Sequence, residues 1–208
     1  TGEFPVEYAK SGLWRFNEVS VDENGYLADS SGLDRKIELV NYLGTTASLQ
    51  SGQKGRQIRI NINNPATEKT YLKVANDGTF FSEMGERILV GGWMIPTTYS
   101  VGNTYCPILN TRYGPGQPIF YLSLFAGRPR IMLYNASGSL ILDQTTTPPF
   151  SLINGGVYFI CTVIEPNNKN AWIVLGDRTN EISWVSPTYS FTGSLNPSCT
   201  ADIIMGMH

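Results

Sequence analysis

The clearest alternation of apolar and polar positions runs from Pro118 to Asn135, PIFYLSLFAGRPRIMLYN, and it predicts a β-hairpin. A two-residue turn at Gly127-Arg128 sets its register, with glycine supplying the positive φ that tight hairpin turns need. Phe125 then faces Arg130, Leu124 faces Ile131, Ser123 faces Met132, Leu122 faces Leu133, and Tyr121 faces Tyr134. The two-residue period puts Phe120, Leu122, Leu124, Ile131 and Leu133 on one purely apolar face. Tyr121, Ser123, Phe125, Arg130, Met132 and Tyr134 share the other. A plain solvent face would be richer in Lys, Glu and Thr. The second face is therefore either covered by a loop or a recognition surface.

Further strands follow the same logic. Residues 1–10 read as an arm, and Ser11 to Glu18 as a short strand whose Trp14 and Phe16 belong to the core. Asn24-Gly25 and Ser30-Ser31-Gly32 punctuate the chain on either side of Tyr26-Leu27. Thr45 to Arg56, rich in Thr, Ser, Gln and Gly, reads as a surface loop. Ile58 to Ile62 and Tyr71 to Ala75 alternate strictly. Arg87 to Ile95 is a strand carrying the pair Gly91-Gly92, and glycines there mark close approach of a backbone or a ligand. After a loop over 97–106 and an irregular RYGPGQP comes the hairpin, then a short strand at Ser139 to Leu142. Val157 to Ile164 and Ala171 to Leu175 are apolar on both faces, as central strands of a covered sheet are. Ile182 to Val185 and Tyr189 to Phe191 read as edge pieces, and Ala201 to Gly206 as the last strand. The expected fold is all-β: about a dozen antiparallel strands packed as two sheets.

Composition supports this and narrows the function. Charged residues are 15% of the 208, against roughly 25% in an average domain, while 21 glycines and 12 prolines supply turns. The net charge of −2 leaves no basic excess for phosphates, so no nucleic-acid partner is expected. No run of 18 apolar residues exists, so no membrane insertion is expected. Cys106, Cys161 and Cys199 are odd in number and widely spaced, which is neither a disulfide framework nor a zinc arrangement. Cys161 reads as a small core hydrophobe, and free thiols imply folding in a reducing cytoplasm. A chain that starts at Thr1, with no signal peptide, reads as one domain, 1–208, cut from a longer protein.

Several local motifs then fall in order: GLWRFNE at 12–18, DSSG at 29–32, GWMIP at 92–96, the FYLSLFAGRPRIMLY hairpin, VYFICTVI and AWIVLGD. This succession resembles the laminin-G-like, concanavalin-A-like lectin and glucanase jelly rolls, over nearly the whole chain. In two places the chain departs from the family pattern: Val157-Tyr158 replaces a Trp-His pair, and Leu175-Gly176 replaces an Asn-Gly. The resemblance implies a two-sheet antiparallel jelly-roll sandwich that binds carbohydrate. It further implies the setting of a phage tail or baseplate adhesion protein that recognises bacterial cell-wall or cell-surface saccharide. The protein would then sit in the virion, folded in the host cytoplasm, or otherwise on an extracellular surface, joined to neighbouring domains.

Catalysis is not expected. The related glucanases carry E-x-D-x-E on one strand, and this chain has none. Its one histidine, His208, is terminal, and no H-E-x-x-H or phosphate loop occurs. The oxygen-rich turns at Asp29 and at Asn76-Asp77-Gly78 offer too few ligands for calcium and read as Asx-turns capped by their own backbone. No metal or cofactor is expected, with a structural calcium the alternative. A sugar ring packs its C–H face on an aromatic ring, and its hydroxyls want Arg, Asn or Asp. The candidate saccharide site is therefore Tyr121, Phe125, Arg130 and Tyr134 on the hairpin, Trp93 on an adjoining strand, and Arg112 and Tyr113 from the entering loop. The competing expectation is a sandwich that docks other chains of an assembly and has no sugar site.

Overall fold

The structure, a computed structural model, describes residues 26–40, 47–52, 55–60, 71–76, 78–79, 81, 86–96, 105–111 and 119–206. These residues form fifteen strands, numbered in chain order, and no helix. The larger sheet has the spatial order β1 (Tyr26–Leu27), β2 (Ile37–Val40), β5 (Tyr71–Val74), β15 (Ile203–Met205), β7 (Tyr105–Asn110), β8 (Phe120–Phe125), β9 (Arg128–Tyr134) and β10 (Leu140–Thr145). The smaller runs β13 (Ile182–Val185), β12 (Asn170–Asp177), β11 (Tyr158–Glu165) and β6 (Ile88–Met94), with β14 (Tyr189–Ser190) also on β12. β3 (Ala47–Gly52) and β4 (Gly55–Ile60) pair with each other as a separate hairpin. Every sheet pairing is antiparallel. The fold is an all-β, two-sheet jelly-roll sandwich.

Register explains the core. Leu39, Leu72, Met205, Leu109, Leu122 and Ile131 lie opposite one another across six consecutive strands of the larger sheet. Ile160, Ile164, Ile173 and Leu175 line the inner face of the smaller one, all fully buried. Both sets join one apolar cluster between the sheets. The strands apolar on both faces, β11 and β12, are interior strands, as their pattern requires.

Three expectations need correction. The hairpin turn is Ala126-Gly127, with φ of 50° and 71°, in place of Gly127-Arg128. Phe125 therefore faces Arg128, Ser123 faces Arg130, and Tyr121 faces Met132, not Tyr134. Moving the turn by one residue shifts every partner by two, so the division into faces survives: Leu122, Leu124, Ile131 and Leu133 remain in the core. Second, the stretch read as a loop over 45–56 contributes to the β3–β4 hairpin, where Ala47 to Gly52 pair with Ile60 to Gly55. Third, β6 is not beside the hairpin. It pairs β11 in the other sheet, which places Trp93 far from Tyr121 in the fold's layering.

Candidate functional site

The outer face of the hairpin belongs to a row that crosses seven strands: Glu38, Lys73, Ile204, Asn110, Tyr121, Met132 and Asp143. Its ends are charged and its middle is buried. Tyr121 is 3% exposed and Tyr134 is 8%, so neither offers a ring face to a ligand. Both lie outside the central apolar cluster, on the other side of their sheet. Phe125 and Arg130 are half-buried. Arg130 stacks over the Phe125 ring at 5.1 Å and forms a two-pronged ion pair with Asp143, its Nε donating to Oδ1 at 2.7 Å. Arg112, Tyr113, Trp14 and Phe16 lie outside the described residues. The hairpin residues thus come together, but as a packed and ion-paired face.

Trp93 stands elsewhere and is 48% exposed. Along β6, Leu89, Gly91 and Trp93 point outward, while Ile88, Val90 and Met94 pack on the core. Gly91 is required by close approach of a backbone: a Cβ there would lie 2.1 Å from the Ile160 carbonyl oxygen and 2.5 Å from Cys161 Cα. A Cβ on Gly92 would meet nothing within 4 Å. The two adjacent glycines therefore answer different demands. One lets β11 close in, and the other leaves open space on the side of the strand that Val90 and Met94 share.

An open hollow of about 430 Å³ lies against Trp93 at the β12–β13 turn. Gly176 and Ser183, a cross-strand pair, form part of its wall, with Arg178, Glu181 and Ile182 around it. The turn is held from within. Asp177, buried, accepts the amides of Thr179 at 2.9 Å and Asn180 at 3.2 Å on Oδ1, and the Asn180 side-chain amide at 2.8 Å on Oδ2. Glu181 takes a left-handed φ of 54°. Arg178 and Glu181 are exposed, and neither forms an ion pair among the described residues. An indole, a guanidinium, a carboxylate and a hydroxyl thus border one hollow on a preset turn. Sequence reading found Trp93 but missed the turn, although the run Asp177 to Glu181, DRTNE, carries an Asx-turn signal.

A second indole shares this face. Trp172 points outward, half-buried, with Arg87 stacked over its ring at 5.6 Å. Arg87 Nε donates to Glu165 Oε1 at 3.1 Å, and Asn168 donates to Oε2 at 3.1 Å. The Arg87 hydrogen bond foremost, then that from Asn168, holds the Glu165 carboxyl below its ordinary range. Trp184, by contrast, packs toward the core.

The turn at Asp29 closes on itself. Its Oδ1 accepts the Ser31 amide at 2.8 Å, and its Oδ2 accepts the Ser31 hydroxyl at 2.6 Å and the Arg35 amide at 3.2 Å. Asn76 likewise accepts the Gly78 amide at 2.9 Å, while Asp77 lies outside the described residues. Among the described residues no group of three or more His, Cys, Asp or Glu side chains is placed to hold a metal. The three cysteines are unpaired. Cys161 is buried, but on the outer face of β11 and not in the central cluster, and burial raises its thiol to about 11.

No family model matches the chain, and no curated protein matches it. Solved structures do. The receptor-binding domain of botulinum neurotoxin C/D mosaic serotype superposes with a TM-score of 0.56 at 14% identity, over 87% of this chain and 40% of that one. A structure of botulinum neurotoxin type C, whose entering of cells depends on interaction with two ganglioside molecules, gives 0.55 at 12% identity over 95% of this chain and 43% of its own. The binding domain of botulinum neurotoxin serotype D/C VPI 5993 gives 0.54 at 13% identity, over 91% and 42%. The likeness is one of fold. The chain spans less than half the length of these structures, two of which are described as binding or receptor-binding domains.

Proposed function

We propose that this chain is a non-catalytic carbohydrate-binding sandwich, and that saccharide binds on the outer face of the smaller sheet, at Trp93. The observation that carries this reading is the half-exposed indole beside an open hollow with Arg178 and Glu181 at its rim. The indole supplies a platform for the C–H face of a sugar, and the two charged side chains supply donors and acceptors for its hydroxyls. The fold shared with the toxin binding domain and with the type C structure, whose toxin depends for cell entry on two ganglioside molecules, supports saccharide as the partner class. We extend the proposal to a setting in which the domain adheres to saccharide on a bacterial surface, as part of a phage tail or baseplate. That setting rests on the laminin-G-like resemblance. Binding of the isolated chain to a glycan array and to whole bacterial cells tests the reading; no glycan bound and no cells bound would end it.

One observation favours a second reading. Leu89, Val185 and Ile182 are 55%, 56% and 42% exposed on or beside the same face. Exposed aliphatic side chains next to an aromatic are what a protein-docking surface presents. A sandwich that docks on other chains would stay glycan-blind and would lose its partner on Val185→Arg.

A further inference from the structure

Cross-strand register gives the outer face of the smaller sheet a relief. One row holds Trp93 and Phe159, followed by Gly176 and Ser183. The next holds Gly91, Cys161, Val174 and Val185. A third holds Leu89, Val163 and Trp172. The middle row is low on β6 and β11, where Gly91 has no side chain and no room for one and Cys161 is sunk to 5% exposure, and it rises to Val185, 56% exposed, at the β13 end. Both flanking rows carry an indole. The face is therefore a trough that runs across the strands, with Trp93 on one wall and Trp172 on the other. The walls are four strand residues apart, about 13 Å, and the four strands of the floor span about 14 Å.

Each wall has the same chemistry. Beside Trp93 stand Arg178 and Glu181; beside Trp172 stand Arg87 and Glu165. Each indole is accompanied by one guanidinium and one carboxylate, unpaired among the described residues at Trp93 and joined in an ion pair at Trp172, where Arg87 also lies over the ring, so the charges of each wall cancel. The floor between them carries no charge.

We propose that this trough binds a linear, uncharged oligosaccharide of about three linked rings, the length its floor of about 14 Å accommodates, with Trp172 as a second stacking wall. The inference deepens the saccharide reading and rests on it. A terminal monosaccharide would fill the Trp93 hollow alone. A linear chain gains a second ring contact and covers the low middle row, which removes apolar surface from water. An anionic glycan gains nothing from walls whose charges balance.

The test is an array of linear hexose and N-acetylhexosamine chains, one to six residues long, beside the same chains with a carboxylated sugar. It is read with the parent, Trp172→Ala and Val185→Arg, after a melting curve for each. Val185 is exposed at the end of the floor, so its substitution leaves the fold intact and decides the matter should Trp172→Ala melt early. The expected result is affinity that climbs from one to three residues, by up to about tenfold for the second stacked ring, and then levels off. Both variants should fall back to the single-residue level, and carboxylated chains should bind no better than neutral ones. Affinity independent of length, unchanged three-residue binding by Val185→Arg, or preference for carboxylated chains overturns the trough and leaves the Trp93 site standing. A parent that binds no glycan overturns both. A dimer in light scattering that Val185→Arg dissolves shows the face to be covered by a second copy, and also overturns the trough.

Discussion

The indole of Trp93 meets the ring of Phe159 edge-on, centroids 5.4 Å apart and planes at 61°, across an in-register pair of β6 and β11. Edge-to-face packing of this kind contributes about 0.5–1.5 kcal/mol and fixes the orientation of both rings. It holds half of a large indole in solvent on the outer face of a sheet whose inner face is core. An exposed aromatic that is oriented before a ligand arrives costs little ordering on binding.

The two glycines beside Trp93 should respond oppositely to a methyl group. Gly91→Ala drives a Cβ into the β11 backbone and should destabilise by about 1–3 kcal/mol, as overpacking does. Gly92→Ala meets open space at a φ that alanine accepts, and should be neutral or stabilise by about 0.4–1 kcal/mol through the unfolded chain. Denaturant melts of the two variants check the contrast. Equal losses would mean that β6 and β11 do not approach as described.

The hairpin shows how far the sequence could be read. Period-2 alternation assigned Leu122, Leu124, Ile131 and Leu133 to the core because two strands must agree on a buried face. The turn was misplaced by one residue because Ala126 adopts a positive φ, which composition gives no reason to expect of alanine. Burial of Tyr121 and Tyr134 was not legible either. A face of tyrosines, one serine and one arginine has the same composition whether covered or open, and its state depends on segments distant in sequence. Trp93 was recognised as available from the glycines before it, yet its sheet depends on a long-range pairing with β11 that no local pattern encodes. The Arg178–Glu181 turn escaped notice because its chemistry arises only when it meets Trp93 across the intervening strand β11.

The outer face of the hairpin should behave as structure. Tyr121→Ala removes a buried ring and should cost about 3–5 kcal/mol, comparable with the 2–5 kcal/mol expected of Leu122→Ala or Leu133→Ala. Arg130→Ala removes the partner of Asp143 and the cover of Phe125, and should cost about 1–3 kcal/mol. Chemical denaturation of the four variants is the measurement. A Tyr121→Ala protein as stable as the parent, with glycan binding lost, would return the site to the hairpin.

The thiols give a check that depends on pH. Burial raises all three, Cys161 to about 11, so the thiolate fraction is small at neutral pH. The native protein should react slowly with a thiol reagent at pH 8, faster as pH climbs toward 11, and the unfolded, unreduced chain should titrate three equivalents at once. One equivalent from the unfolded chain would reveal a disulfide.

The central claim is tested most directly by Trp93→Ala, measured for both folding and glycan binding in one preparation. Half of that side chain is already in water, so truncation should cost well under the roughly 3–5 kcal/mol of a fully buried tryptophan. The account predicts a melting curve close to that of the parent and glycan or cell binding lowered at least about tenfold, the equivalent of one stacked ring. Undiminished binding by a folded Trp93→Ala protein would contradict it.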